Sequence, residues 1–168
     1  MKALAIFGVF LAAVALSTAP AMAADANGNH GAYVWIVAGD TAVAPDGSTI
    51  FIKGRGTFEA GPQGSATGGG TFSINGGPTG TWKATSVEGF VSYGTSLPGS
   101  HLPPPPATGG KAKLRVSLSN GQDGVLTIFC VVGSPPPSVG EGIHLILGGG
   151  VGNEYTDEGR GFTLFIAI

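Results

Sequence analysis

Short apolar runs, punctuated by glycine, proline, serine and asparagine, recur along the chain. They predict strands over residues 33–38, 49–53, 56–60, 70–74, 80–87, 90–93, 112–118, 125–132, 143–147 and 162–168. Val, Ile, Thr, Phe and Tyr are frequent in these runs, and such side chains suit a pleated surface. The cleanest alternation runs from Lys111 to Leu118, where Ala112, Leu114, Val116 and Leu118 alternate with polar residues and face a core. Trp82 and Ala84 likewise share one face, with Lys83 and Thr85 on the other. Three runs, 33–37, 125–132 and 162–168, are apolar on both faces, which suits strands covered on both sides or placed where a sheet closes. Beyond the first residues no segment carries a sustained 3.6-residue apolar period with caps, so the chain reads as all-β.

Turn chemistry supports that reading. Asp46-Gly47, Asn75-Gly76 and Asn120-Gly121 each supply a residue pair suited to a tight hairpin turn. Pro103 to Pro106 and Pro135 to Pro137 predict stiff surface loops, because proline offers no ladder donor. The expected fold is a single antiparallel β-barrel of about 8–10 short strands, with a two-sheet β-sandwich as the alternative. The barrel is preferred because an open edge at 162–168 would be hazardous and closure removes edges. Internal glycines would supply the kinks of a curved sheet.

The amino terminus changes the picture by adding a compartment. Met1-Lys2 gives a positive start, an apolar run follows to Ser17, and Ala21-Met22-Ala23 is a small-x-small cleavage site. Residues 1–23 therefore read as a secretory signal peptide, 24–31 as a flexible leader and 32–168 as the β-domain, in a secreted or periplasmic protein. The lone Cys130 leaves an exported chain without an internal disulfide, and its apolar neighbours mark it as a buried small hydrophobe. Residue 24 is Ala, so no lipid-attachment cysteine follows the cleavage site. No later apolar stretch is long enough for a transmembrane helix. Without Lys2, seven basic side chains face ten acidic ones, a balance that argues against nucleic acid and disfavours polyanions as the main partner.

Candidate chemistry is sparse. Lys111, Lys113 and Arg115 line one strand face about 7 Å apart, either as a patch for a carboxylate, sulfate or sugar acid or as a plain solvated face. Gly149 to Tyr155 resembles one turn of the glycine-rich calcium-binding nonapeptide repeat, yet Glu154 stands where that repeat has Asp and no tandem copy follows. An acidic loop is the simpler reading of that segment. His30, His101 and His144 show no paired spacing for zinc, no G-x-S-x-G elbow occurs, and no metal or other cofactor is expected. The ligand-binding candidates are Trp35, Trp82, Tyr93 and His144, as the lining of a small apolar cavity.

Lys53-Gly54-Arg55-Gly56-Thr57-Phe58, Gly68-Gly69-Gly70-Thr71-Phe72 and Gly80-Thr81-Trp82-Lys83-Ala84-Thr85 together resemble segments of secreted bacterial β-proteins. The likeness extends through Gly161 to Phe165, and it implies an exported bacterial β-domain without assigning functional residues. The G-x-G-T-F phrases also resemble strands of dirigent and allene-oxide-cyclase-like barrels, which implies a barrel and no particular activity. The expected function is a non-catalytic exported domain that binds a small apolar molecule or a protein partner. The alternatives are a self-associating structural protein, a small outer-membrane barrel, and an isomerase or cyclase working in an enclosed cavity.

Overall fold

The computed structural model describes residues 31–61, 64–96, 101, 107–148, 153–157 and 161–168. The expected signal peptide, most of the expected leader including His30, Pro103 to Pro106 and Gly149 to Gly152 lie outside the described residues. The described chain is all-β, with nine strands: β1 (Gly31–Val43), β2 (Thr49–Ala60), β3 (Ala66–Ile74), β4 (Thr79–Thr95), β5 (Ala107–Leu118), β6 (Asp123–Cys130), β7 (Gly142–Leu147), β8 (Glu154–Asp157) and β9 (Thr163–Ala167). Strands β1 to β8 pair in chain order, every pair antiparallel, and β8 returns to β1, so the sheet closes as a ring of eight.

The ring has a seam, and β9 fills it. Residues Ala42 and Val43 of β1 pair with β8, whereas Tyr33 to Val37 pair with Ala167 to Thr163 of β9. The other side of β9 pairs with Ala107 and Thr108 of β5. The doubly apolar C-terminal run thus has a neighbour on each side, as its composition requires.

Two pairs of expected strands merge. Residues 49–53 and 56–60 are one strand, β2, continuous through Gly54 and Arg55. Residues 80–87 and 90–93 are likewise one strand, β4, whose register shifts between Ala84 and Ser86 and again between Val87 and Gly89. Each bulge adds a residue, so Ala84, Val87 and Phe90 all stay buried at a spacing of three. The expectation of an acidic loop fails at Glu154–Asp157, which form β8. Its backbone completes the ladders of β7 and β1, a pairing that its own composition does not signal. The hairpin turns follow the expected chemistry: Gly76 and Gly121 adopt φ of 70° and 88°, a region open to glycine.

The inner face of the ring is filled. Tyr33, Phe58, Phe90 and Phe165, from β1, β2, β4 and β9, form one aromatic cluster with centroid separations of 4.6–5.9 Å. Beside it, Trp35 and Trp82 stack at 5.3 Å with 29° between their planes. The indoles lie against a bed of glycines. Gly54 pairs with Gly70 and Gly56 with Gly68, so four inward positions on β2 and β3 carry no side chain. A Cβ on Gly56 would stand 2.7 Å from Trp35 Cζ2, and one on Gly54 would stand 2.7 Å from Trp82 Cζ2. Across this bed Trp82 reaches from β4 over β3, and its Nε1 donates to the Lys53 carbonyl of β2 at 3.1 Å. The Trp35 Nε1 finds no acceptor among the described residues.

Gly56→Ala should therefore lose about 1–3 kcal/mol in denaturant unfolding, because the new methyl overpacks both the β3 backbone at Thr67 and the Trp35 indole. Gly89→Ala, at a position with nothing within 4 Å of the added Cβ, should stay within about 0.5 kcal/mol. Equal losses at the two positions would contradict the close packing around Gly56.

Candidate binding surface

The outer face of the ring is mixed, with Phe51 and Val91 exposed among polar and charged side chains, and the fold sorts its charges. Of eight Lys and Arg residues in the chain, six lie on β2, β4 and β5: Lys53, Arg55, Lys83, Lys111, Lys113 and Arg115. Glu59 and Glu88 are the acidic residues of the same strands. Asp123, Glu154 and Asp157 belong to β6 and β8. Net charge averages over this separation, so the −2 of the whole chain conceals a locally basic wall.

Register brings cations together that are far apart in sequence. Arg55 pairs with Gly69, Gly69 with Lys83, Lys83 with Ser117, and Ser117 with Asp123. Directly paired residues on antiparallel strands share a face, so these five form one row across β2 to β6. Three hollows follow that row. One of about 290 Å³ is bordered by Lys53, Arg55, Gly69 and Thr71. A second of about 320 Å³ holds Thr81, Lys83 and Ser117, and a third of about 790 Å³ holds Lys83, Thr85, Arg115, Gln122 and Asp123. Gly69 keeps the centre low because no side chain rises there.

Local hydrogen bonds fix the frame of the wall. Thr57 and Thr67 hydroxyls meet at 2.8 Å between β2 and β3, and Thr81 N donates to Ser119 Oγ at 3.0 Å between β4 and the end of β5. Thr85 Oγ1 donates to the Arg115 carbonyl at 3.3 Å. Arg115 pairs with Glu88 at 2.7 Å. Exposed ion pairs of this kind contribute little to stability, so the pair mainly orients the guanidinium.

The four residues expected to line a cavity do not meet at one place. Trp35 and Trp82 are core, 0% and 3% exposed. Tyr93 lies near the end of β4, where its carbonyl accepts from Ser134 N at 2.8 Å and partial burial pushes its phenol above the ordinary value. His144 is on the outer face of β7, with Nε2 at 2.7 Å from Glu154 Oε1. It borders a separate hollow of about 410 Å³ with Phe129, Val139, Glu141 and Thr156. There Glu141 is engaged structurally: its carboxylate accepts from Thr163 N at 2.8 Å and Val131 N at 3.3 Å, tying the seam strand β9 to the end of β6. Among the described residues no group of three or more His, Cys, Asp or Glu side chains could hold a metal ion. No helix there is long and apolar enough to cross a membrane.

Sequence reasoning found Lys111, Lys113 and Arg115 but missed Lys53, Arg55 and Lys83 on the same wall. Part of that signal is present: the Asn75-Gly76 turn places Ser73 opposite Thr79, which sets Gly69 opposite Lys83. No family model, curated protein or solved structure matches the chain.

Cys130 is buried, and burial pushes its thiol above the ordinary value. Since the thiolate is the reactive form, the native protein should not react with a thiol reagent at pH 8, and one equivalent should react on unfolding. Rapid labelling of the native protein would contradict this placement.

Proposed function

We propose that this chain is an exported, non-catalytic binding domain that recognises its partner on the outer wall of the ring and not inside it. The observation that carries this reading is the division of the two faces. The inner face is occupied by the stacked indoles and the aromatic cluster, while the outer face carries a run of cation-lined hollows across β2 to β6. The small apolar ligand expected from the sequence finds Trp35 and Trp82 already packed on one another and on glycine. An outer-membrane barrel needs the reverse arrangement, an apolar band facing lipid around a polar lumen. Lys53, Arg55, Lys83, Lys113 and Arg115 are all exposed along the strands here, which favours a wall in water. Export rests on the sequence of residues 1–23, and a furrow on the exterior suits a protein that meets its partner outside the cytoplasm.

Co-sedimentation tests the reading. Protein purified without detergent is mixed with insoluble bacterial cell envelope and pelleted. Wild type should pellet, and the variant Lys53→Ala/Arg55→Ala/Lys83→Ala should stay in the supernatant. Trp35→Phe, which alters the inner face alone, should pellet like wild type. Retention of the triple variant would contradict the proposal, as would an apolar molecule that co-purifies with the wild type in native mass spectrometry.

A further inference from the structure

Building on the outer-wall reading, we infer that the furrow takes an anionic polysaccharide laid across the strands, its carboxylate or sulfate groups held by Lys53, Arg55 and Lys83. Three features select that chemistry. The first is sign. Arg115 is matched by Glu88, whereas Lys53, Arg55, Lys83, Lys111 and Lys113 have no acidic partner among the described residues. The wall therefore carries an excess of positive charge between Lys53 and Lys83, with Asp123 at the far end of the row, and such surfaces concentrate anions.

The second is spacing. Arg55 and Lys83 stand two strands apart with Gly69 between them, about 10 Å at the usual strand separation. Lys53 and Arg55, and Lys111 and Lys113, are two residues apart along a strand, about 7 Å. A single small anion needs donors converging on one point, as a bidentate guanidinium or a backbone nest provides. Charges distributed at about 7–10 Å instead match a polymer whose anionic groups repeat along its length.

The third is shape and hydroxyl content. The hollows at Arg55, Lys83 and Arg115 share residues or are joined by direct pairs, so they form a trough that crosses the strands. Gly69 lets a ligand approach the backbone at the middle, and Thr71, Thr81, Thr85 and Ser117 border the trough with hydroxyls. Hydroxyls that both donate and accept suit the hydroxyls of a sugar. A single-stranded nucleic acid would instead stack successive bases on aromatic rings, and the row Arg55–Gly69–Lys83–Ser117 presents none.

Affinity electrophoresis of the full chain tests the inference, with native gels containing polygalacturonate, dextran sulfate, neutral dextran or single-stranded DNA. One or both anionic glycans should retard the wild type. Arg55→Ala/Lys83→Ala should weaken binding about tenfold, and the charge-keeping pair Arg55→Lys/Lys83→Arg should restore most of it. Retardation should fade as salt rises from about 0.05 to 0.5 M, where screening shortens the reach of exposed charges. Polygalacturonate alone or dextran sulfate alone would identify carboxylate or sulfate as the group held. Equal retardation by neutral dextran, unaffected by the alanine pair, would overturn the inference, and so would tighter binding of DNA than of either anionic glycan. No retardation in any gel, with envelope sedimentation intact, would overturn the polysaccharide assignment while leaving the outer-wall reading in place. Loss of both would remove the outer-wall reading itself.

Discussion

Two indole rings packed on a glycine-rich patch, Trp35 on Gly56 and Trp82 on Gly54, are the contact on which the rest of this fold depends. A closed sheet has a fixed interior, and large side chains fit there where facing positions are small. Trp35 and Trp82 are the largest inward residues on β1 and β4, and β2 gives up its side chains at Gly56 and Gly54 to receive the rings, with Gly68 and Gly70 paired beside them on β3. Burying two indoles is strongly favourable, and exposing glycine backbone to a ring instead of water recovers part of what glycine costs a strand. The hydrogen bond from Trp82 to the Lys53 carbonyl then braces β4 to β2 across β3. The second aromatic cluster extends the same packing to β9, which closes the seam between β1 and β5.

That packing determines where function can reside. With its inner face committed to aromatic contacts, the ring presents its partners with an outer surface shaped by register and charge. The brace also couples the two faces, because the carbonyl held by Trp82 belongs to Lys53, whose ammonium lies on the basic wall. Arg55 and Lys83 stand on strands flanking the glycine-rich β3, so the positions that leave room for indoles inside also leave a low track outside at Gly69.

Much of the fold is legible in the sequence, for identifiable reasons. The alternation from Lys111 to Leu118 places Ala112, Leu114, Val116 and Leu118 inside, and all four are buried. The doubly apolar C-terminal run calls for neighbours on both sides, which β9 has in β1 and β5. The merger of 49–53 with 56–60 is hidden because Gly54 and Gly56 read as breaks until the indoles that cover them are known, and those come from other strands. Strand β8 is hidden because four residues with one large apolar side chain, Tyr155, form a strand through their neighbours' open ladder groups. The candidate site is half legible. Alternation shows which lysines face outward, and the Asn75-Gly76 turn fixes the register of β3 on β4. The β2–β3 connection, with Gly61-Pro62-Gln63-Gly64 inside a longer stretch between Phe58 and Ala66, fixes register less tightly, so the approach of Arg55 to Lys83 emerges in three dimensions. An inward tryptophan in a filled core and one lining a cavity also share the same alternation, so Trp35 and Trp82 are indistinguishable from ligand contacts in sequence.

The most direct test of a filled interior with a binding outer wall is a two-dimensional NMR titration of the protein with an anionic polysaccharide fragment such as oligogalacturonate, following backbone amides and both indole N–H signals together. The expected result is a set of progressive shifts at Arg55, Gly69, Lys83 and Ser117, with the indole signals of Trp35 and Trp82 unmoved. Shifts concentrated at the two indoles, with the Arg55–Ser117 row unchanged, would contradict the account.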